Sequence, residues 1–146
     1  MRRILVGYDD SDGARRALDR AVEEARAGRS RITVLAVIEM PLDPQAPRWF
    51  GTPDDISGSE GSEQTAPTQV VAQLTTAQDR LATAGLEAEL RWAAGEPGEA
   101  IVEAARELRA DVIILGEHHH GFLGSMFGAD VDAEVQKRAG CEVVLA

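Results

Sequence analysis

The sequence predicts an α/β protein with a doubly wound, five-stranded parallel sheet. Short apolar runs alternate with amphipathic helical patterns, so that strand and helix repeat four times before a fifth strand closes the chain. Most of these runs lack polar–apolar alternation, which is typical of strands buried on both faces. Aromatic residues make up only 4% of the chain, so aliphatic residues and alanine must build the core. Because crossover connections are right-handed, this order places helices on both faces of a parallel sheet.

Length and charge limit the classes of protein that need to be considered. The 146 residues suffice for one domain, residues 1–146, with its own core. A net charge of −10 argues against nucleic acid and anionic membranes as partners, because both would be repelled. No apolar run approaches about 18 residues, and Met1 leads almost directly into a strand pattern, so we expect a cytoplasmic protein. The one cysteine, Cys141, fits a packing role in a strand.

The first strand is predicted over residues 3–9, with Asp9 at its C-terminal end. Ser11 or Asp12 can cap the helix that follows, and Gly28 is expected to end it. A second run rich in β-branched residues, 32–38, predicts another buried strand.

Residues 41–67 follow neither the helical nor the strand period and are rich in Pro, Gly, Ser and acidic residues. We predict a long surface loop. Such a long segment inside a small domain is typically either disordered or a lid. In the second case, Trp49 and Phe50 would anchor it or bind a partner.

Helical spacing resumes at Val70 and ends at Gly85. Residues 86–92 alternate strictly between apolar and charged, which predicts a strand with one wet face, close to a sheet edge. Pro97 suits the first turn of a third helix. The fourth strand, 112–115, ends at Gly116, and a fourth helix from Val131 precedes a last strand at residues 141–146.

The predicted topology also locates a ligand crevice. In doubly wound sheets the crevice lies outside the C-terminal ends of the strands, where the winding reverses. Residues 7–11, 37–39 and 115–130 should therefore converge. The last of these segments is a glycine-rich loop that leads to a helix N-terminus, the usual place for nucleotide phosphates.

Four motifs in the same order resemble those of the universal stress protein family. Residues 4–9 with Ser11 resemble the family's opening strand and turn, and residues 95–101 resemble its Gly-x-Pro-x-x-Ala-Ile helix start. Residues 110–116 resemble its Ala-Asp-hydrophobic-Gly strand, and residues 141–145 its last strand. The resemblance to single-domain, universal stress protein A-like members implies a Rossmann-like, adenine nucleotide alpha hydrolase-like sheet in the order 3-2-1-4-5, with two helices on each face. It also implies a homodimer that acts in stress response or regulation.

The resemblance implies an adenine-nucleotide site as well. Asp9 resembles the acidic residue beside the nucleoside, Val37 and Leu115 match positions that line the adenine pocket, and Gly116 matches the first glycine of the ATP motif. The other three motif positions depart from it: His119 and Ala129 replace glycines, and Asp130 replaces a serine or threonine. The candidate cofactor-binding residues are Asp9, Val37, Leu115, Gly116, His119, Gly121, Ala129 and Asp130.

Asp130 should reject a triphosphate. Two like charges ~4 Å apart at an effective dielectric of about 20 repel by about 4 kcal/mol. This repulsion exceeds the gain from one or two hydrogen bonds of roughly 1 to 3 kcal/mol each.

We therefore expect a non-enzymatic stress or regulatory protein with poor or no ATP binding. The alternative is a sensor of ATP, AMP or cyclic AMP that uses a modified, histidine-containing loop. Asp130 or Asp132 could equally serve as the helix N-cap.

The three consecutive histidines, His118, His119 and His120, allow three interpretations. With Glu117 they could bind zinc, copper or nickel, as protonated imidazoles they could bind an anion, or they could form a solvated or dimer-facing loop. We expect a solvated or dimer-facing loop, because the spacings of structural zinc sites are missing from the sequence. Recognised catalytic motifs are also missing from the sequence, which favours a non-enzymatic protein over a third alternative, a slow nucleotide hydrolase.

The end of the chain is expected to form a homodimer interface. Val143, Val144 and Leu145 lie in what should be the outermost strand, and an apolar sheet edge favours pairing with a second copy. The competing interpretation is that these three residues only cover the protein's own helices.

Overall fold

A computed structural model describes residues 1–39, 50–51, 68–116 and 129–146. The strands are β1 (Arg2–Gly7), β2 (Ser30–Glu39), β3 (Phe50–Gly51), β4 (Ala88–Gly95), β5 (Val112–Leu115) and β6 (Glu142–Leu145). The helices are α1 (Asp12–Ala27), α2 (Thr68–Thr83), α3 (Pro97–Leu108) and α4 (Ala129–Arg138).

The sheet has the order β3-β4-β2-β1-β5-β6. Its five longer strands are parallel to their neighbours and reproduce the predicted order 3-2-1-4-5, so the fold class is confirmed. The prediction missed β3, in which Phe50 and Gly51 pair antiparallel with Ala93 and Trp92. This strand lies inside the segment predicted as a loop. Two residues are too few to show the strand period, so the sequence pattern could not reveal it.

The core has one layer on each side of the sheet. Alternate residues of β1, such as Ile4 and Val6, pack with residues of α1 and α2. The residues between them, such as Leu5, pack with residues of α3 and α4, including Ile101 and Val135. Two helices thus cover each face, as expected.

The helix ends follow local chemistry. Ser11 caps α1, because its Oγ accepts a hydrogen bond from the Ala14 N–H at 3.1 Å. Gly85, with φ +78°, follows α2, and Pro97 opens α3. The end of α3 was harder to foresee: Arg109 adopts the left-handed conformation, with φ +52°. A position that usually takes glycine or asparagine is filled here by a residue that gives no such signal.

The start of α4 differs from the prediction. The helix begins at Ala129, two residues before Val131. Asp130 and Asp132 therefore lie inside its first turns, so neither residue has the N-cap role that the sequence left open for them. Asp132 is buried.

Cys141 is half-buried beside the core layer of α3 and α4. Burial, together with the carboxylates of Asp111 and Glu142, raises the pKa of its thiol. A raised thiol pKa lowers the fraction of reactive thiolate, in agreement with a packing role. Within the described part of the chain, no helix has the length and apolar character to cross a membrane.

Candidate functional site

The predicted crevice residues meet at the C-terminal ends of the parallel strands. Gly7, the last residue of β1, pairs with Leu35 of β2, and Val6 pairs with Ile114 of β5. The Tyr8 N–H donates to the Leu35 carbonyl at 2.9 Å, which extends the pairing by one residue. Asp9 and Gly116, which follow β1 and β5, and Val37, two residues before the end of β2, therefore lie at the C-terminal ends of neighbouring strands. This is where the sequence placed the crevice.

Asp9 is held in a tight turn after β1. Its Oδ1 accepts hydrogen bonds from the Ser11 N–H, at 3.1 Å, and from the Ser11 hydroxyl. The Gln73 side chain donates to the Asp9 carbonyl oxygen at 3.4 Å, linking the turn to α2. Asp9 is half-buried. Its carboxylate is thus fixed in position before any ligand arrives.

The next residue, Asp10, has a left-handed backbone with φ +62°. Such a conformation in a residue other than glycine is strained and often occurs at functional sites. The fully buried Tyr8 donates its hydroxyl to Asp10 Oδ1 at 2.8 Å, and Arg15 Nη2 lies 3.7 Å from the same oxygen. Burial first, and then the hydrogen bond to Asp10, raise the pKa of Tyr8. These contacts stabilise the strained turn.

Gly116 stands in contact with the backbone of α1. A Cβ atom added to Gly116 would lie 2.1 Å from the carbonyl carbon of Gly13 and 2.5 Å from its Cα. The position excludes any side chain, because the nearest atoms belong to backbone that cannot swing away. Close contact between the end of β5 and the start of α1 is part of how the crevice is built.

Val37 and Leu115 belong to the core layer that faces α3 and α4. Val37 is 1% exposed and Leu115 is fully buried. Both lie near the C-terminal ends of their strands, as predicted, but in this structure their side chains pack against the protein itself. Their role in binding a base stays a prediction.

The remaining candidates lie in or beside the loop after β5. His118, His119, His120 and Gly121 are outside the described residues, so the histidine hypotheses stay predictions. Ala129 and Asp130 open α4. Within residues 1–39, 50–51, 68–116 and 129–146, no cluster of three or more His, Cys, Asp or Glu residues could hold a metal ion.

The last strand lies at the edge of the sheet beyond β5. Val143 and Leu145 pack on the α3 and α4 side, and Val144 packs on the other. All three remain half-buried rather than fully buried. They therefore contribute to the protein's own core and still present surface at the edge. Their role in a dimer interface stays a prediction.

Three contributors to this site were missed by the sequence interpretation. Tyr8 looked like one more apolar residue of β1, and Gly13 looked like an ordinary residue of a helix start. Gln73 carried no signal, because it contacts Asp9 from a different element, α2. Only the pair Asp-Gly at positions 12 and 13 hinted at a close approach.

The fold and this edge define a class: Rossmann-like α/β domains with a ligand crevice at the C-terminal ends of parallel strands. The sequence model of the universal stress protein family matches residues 1–146. The chain therefore belongs to the universal stress protein family.

Individual relatives agree with this assignment. A universal stress protein of Thermus aquaticus is 30% identical over 143 residues, covering 97% of this chain and 96% of that protein. A universal stress protein of Mycobacterium tuberculosis is 29% identical over the same length, covering 97% and 93%.

Two solved structures of the family contain adenine nucleotides. A universal stress protein in complex with cAMP is 28% identical with a TM-score of 0.68, and the match covers 99% of this chain and 95% of that one. The universal stress protein from Archaeoglobus fulgidus in complex with dAMP is 25% identical with a TM-score of 0.66, covering 99% and 97%.

Proposed function

We propose that this universal stress protein is a non-enzymatic, homodimeric regulator whose crevice binds an adenine mononucleotide, such as AMP or cyclic AMP, in preference to ATP. The observation that carries the proposal is the carboxylate of Asp9, which Ser11 fixes directly after the C-terminal end of β1. A preorganised carboxylate can accept hydrogen bonds from ribose hydroxyls at little entropic cost. The complexes of similar proteins with cAMP and dAMP support the same class of ligand.

Discrimination against ATP rests on Asp130. It stands second in α4, near a helix N-terminus that would otherwise attract phosphate. Each further phosphate bound near this end of α4 would add negative charge to the acidic helix start, whereas a mononucleotide adds the least. The net charge of −10 adds a general repulsion of the same sign.

The homodimer is proposed through β6. Its outer edge carries no paired strand in the described part of the sheet, and the strand is apolar over Val143, Val144 and Leu145. Unpaired apolar edges favour pairing with another strand, and a twofold axis would let β6 meet its own copy. A nucleotide that binds only the folded protein would stabilise it by mass action.

Titration of the isotope-labelled protein with AMP, followed by amide NMR, tests the location. We expect shifts at residues 7–11 and at Gly116. Asp9→Asn should weaken AMP binding about tenfold, the effect of losing a charge-assisted hydrogen bond. Asp79→Asn, which alters an exposed carboxylate on α2, should leave it unchanged. Saturation without shifts at these amides, or equal affinity of Asp9→Asn, would overturn the proposed site.

A further inference from the structure

A cavity lies at the N-terminal ends of the strands, opposite the candidate crevice. It has a volume of about 280 Å³ and opens between the N-terminal halves of β1, β2 and β4 and the C-terminal end of α3. Its polar lining consists of Arg3, Arg31, Thr33, Glu89, Arg91 and Glu107. Arg3 and Asp9 are six residues apart along extended chain, which at roughly 3.3 Å per residue separates the cavity from the crevice by about 20 Å.

The lining departs from the rule that governs such sheets. A parallel strand covered by helices is normally apolar on both faces. Thr33, in the interior strand β2, is only 6% exposed and departs from this pattern. Its partner in β4 is Glu89, and Arg91 follows two residues later; both are half-buried, as expected for a strand near the sheet edge with one wet face. A buried polar residue in an interior strand violates the packing rule locally, and such violations occur preferentially where a protein has a function to serve.

Three arginine and two glutamate side chains line the cavity. Arg91 forms an ion pair with Glu89, which holds its guanidinium in the cavity. The Arg3 guanidinium donates to the Leu108 carbonyl at the end of α3, at 3.3 Å. Arg31 is exposed and makes no ion pair with any residue that the structure describes. Three arginines against two glutamates give the cavity a positive balance in a protein with a net charge of −10.

We propose that this cavity is a second ligand site, for phosphate or a small phosphate monoester. Guanidinium groups match the geometry of phosphate oxygens and stay charged at any physiological pH. The Thr33 hydroxyl offers a further hydrogen bond at the floor of the cavity, and Glu89 and Glu107 can accept hydrogen bonds from hydroxyl groups of an ester. The volume is close to the lower limit of small-molecule sites, which suits a compact ester and excludes a dinucleotide.

Amide NMR titrations at low ionic strength with inorganic phosphate and with glycerol phosphate test the proposal. Shifts are expected at Arg3, Arg31, Thr33 and Leu108. Tighter binding of glycerol phosphate would identify an ester as the ligand, and equal binding would identify phosphate itself; both support the site.

Arg31→Gln should weaken this binding about tenfold or more, because it removes a charge-assisted contact. The matched control is Arg29→Gln, which removes another exposed arginine that lies outside the cavity and should change binding little. Equal weakening by both variants would mean general surface attraction and would overturn the site. So would the lack of shifts at roughly 10 mM phosphate, or shifts confined to residues 7–11 and Gly116. The last result would leave the crevice proposal intact.

Discussion

Gly116 and Gly13 touch backbone to backbone: a Cβ on Gly116 would stand 2.1 Å from the Gly13 carbonyl carbon and 2.3 Å from its oxygen. The contact joins the end of β5 to the first turn of α1, the two elements that flank the candidate crevice. Glycine at position 116 is therefore required by space, whether or not a nucleotide binds. This separates a structural reason for the residue from the functional one suggested by the family motif.

Gly116→Ala should destabilise the protein by roughly 1–3 kcal/mol, because the added methyl group overlaps backbone atoms that must move apart. Urea denaturation measures this. Gly140→Ala is the matched control, since a Cβ at that position meets nothing within 4 Å. It should be neutral or stabilise the protein by about 0.4–1 kcal/mol. If the two variants were equally stable, the close contact would not exist in solution.

Tyr8 is the only tyrosine in the sequence, so ultraviolet absorbance of tyrosinate reports on this residue alone. Its pKa is raised in the folded protein, first by burial and then by Asp10, whereas an unfolded tyrosine ionises at about 10. The corresponding stability is fully present below pH about 10 and is lost as pH rises through the folded-state pKa. We expect tyrosinate to appear together with unfolding.

The Tyr8→Phe variant completes that test. It should lose about 1 kcal/mol at neutral pH, because the hydrogen bond to Asp10 Oδ1 is gone, and its stability should fall less steeply in alkali. Tyrosinate absorbance near pH 10 in a wild-type protein with native circular dichroism would contradict the buried position of Tyr8.

Val144→Lys should convert the proposed dimer to monomer, because it places a charge on the apolar edge strand that we expect to meet its twofold mate. Sedimentation at micromolar concentration measures the mass, and circular dichroism checks the fold. Thr76→Lys adds the same charge to the exposed face of α2 and should leave the dimer intact. A wild-type protein that sediments as a monomer would disprove the interface.

Asp130→Asn should raise the affinity for ATP about tenfold or more while changing that for AMP less. The repulsion it removes is at most about 4 kcal/mol. Asp130→Ser should improve ATP binding further, because the hydroxyl can donate to a phosphate oxygen at the helix N-terminus. Calorimetry measures both ligands, with Glu87→Gln, an exposed carboxylate before β4, as the control for general charge. Unchanged ATP affinity in both Asp130 variants would refute the charge argument.

Most of the fold could be predicted because short stretches of sequence indicate its strands and helix ends. Unbroken apolar runs indicate buried parallel strands, and Ser11, Gly85 and Pro97 mark helix ends through backbone chemistry. The prediction failed where that chemistry was unusual. Arg109 ends α3 without a glycine, and β3 is too short to show a period.

The sequence predicted where the candidate site lies but not which residues contact one another there. Strand topology alone placed Asp9, Val37 and Gly116 at one edge. Contacts between residues far apart in the chain left no sequence signal, as in the bond from Gln73 to Asp9 and the approach of Gly13 to Gly116. The arginine-lined cavity was missed for a related reason, since Arg3, Arg31 and Arg91 lie in three strands and meet only when the sheet forms.

The crevice is proposed to bind an adenine mononucleotide in preference to ATP. Calorimetric titration of the wild-type protein with AMP, cyclic AMP and ATP, with and without magnesium, measures this preference. We predict binding of AMP or cyclic AMP at least about tenfold tighter than that of ATP, a difference of roughly 1.4 kcal/mol. ATP binding as tight as that of AMP, or tighter, would contradict the role of Asp130, and no binding of any of the three at millimolar concentration would contradict the nucleotide site itself.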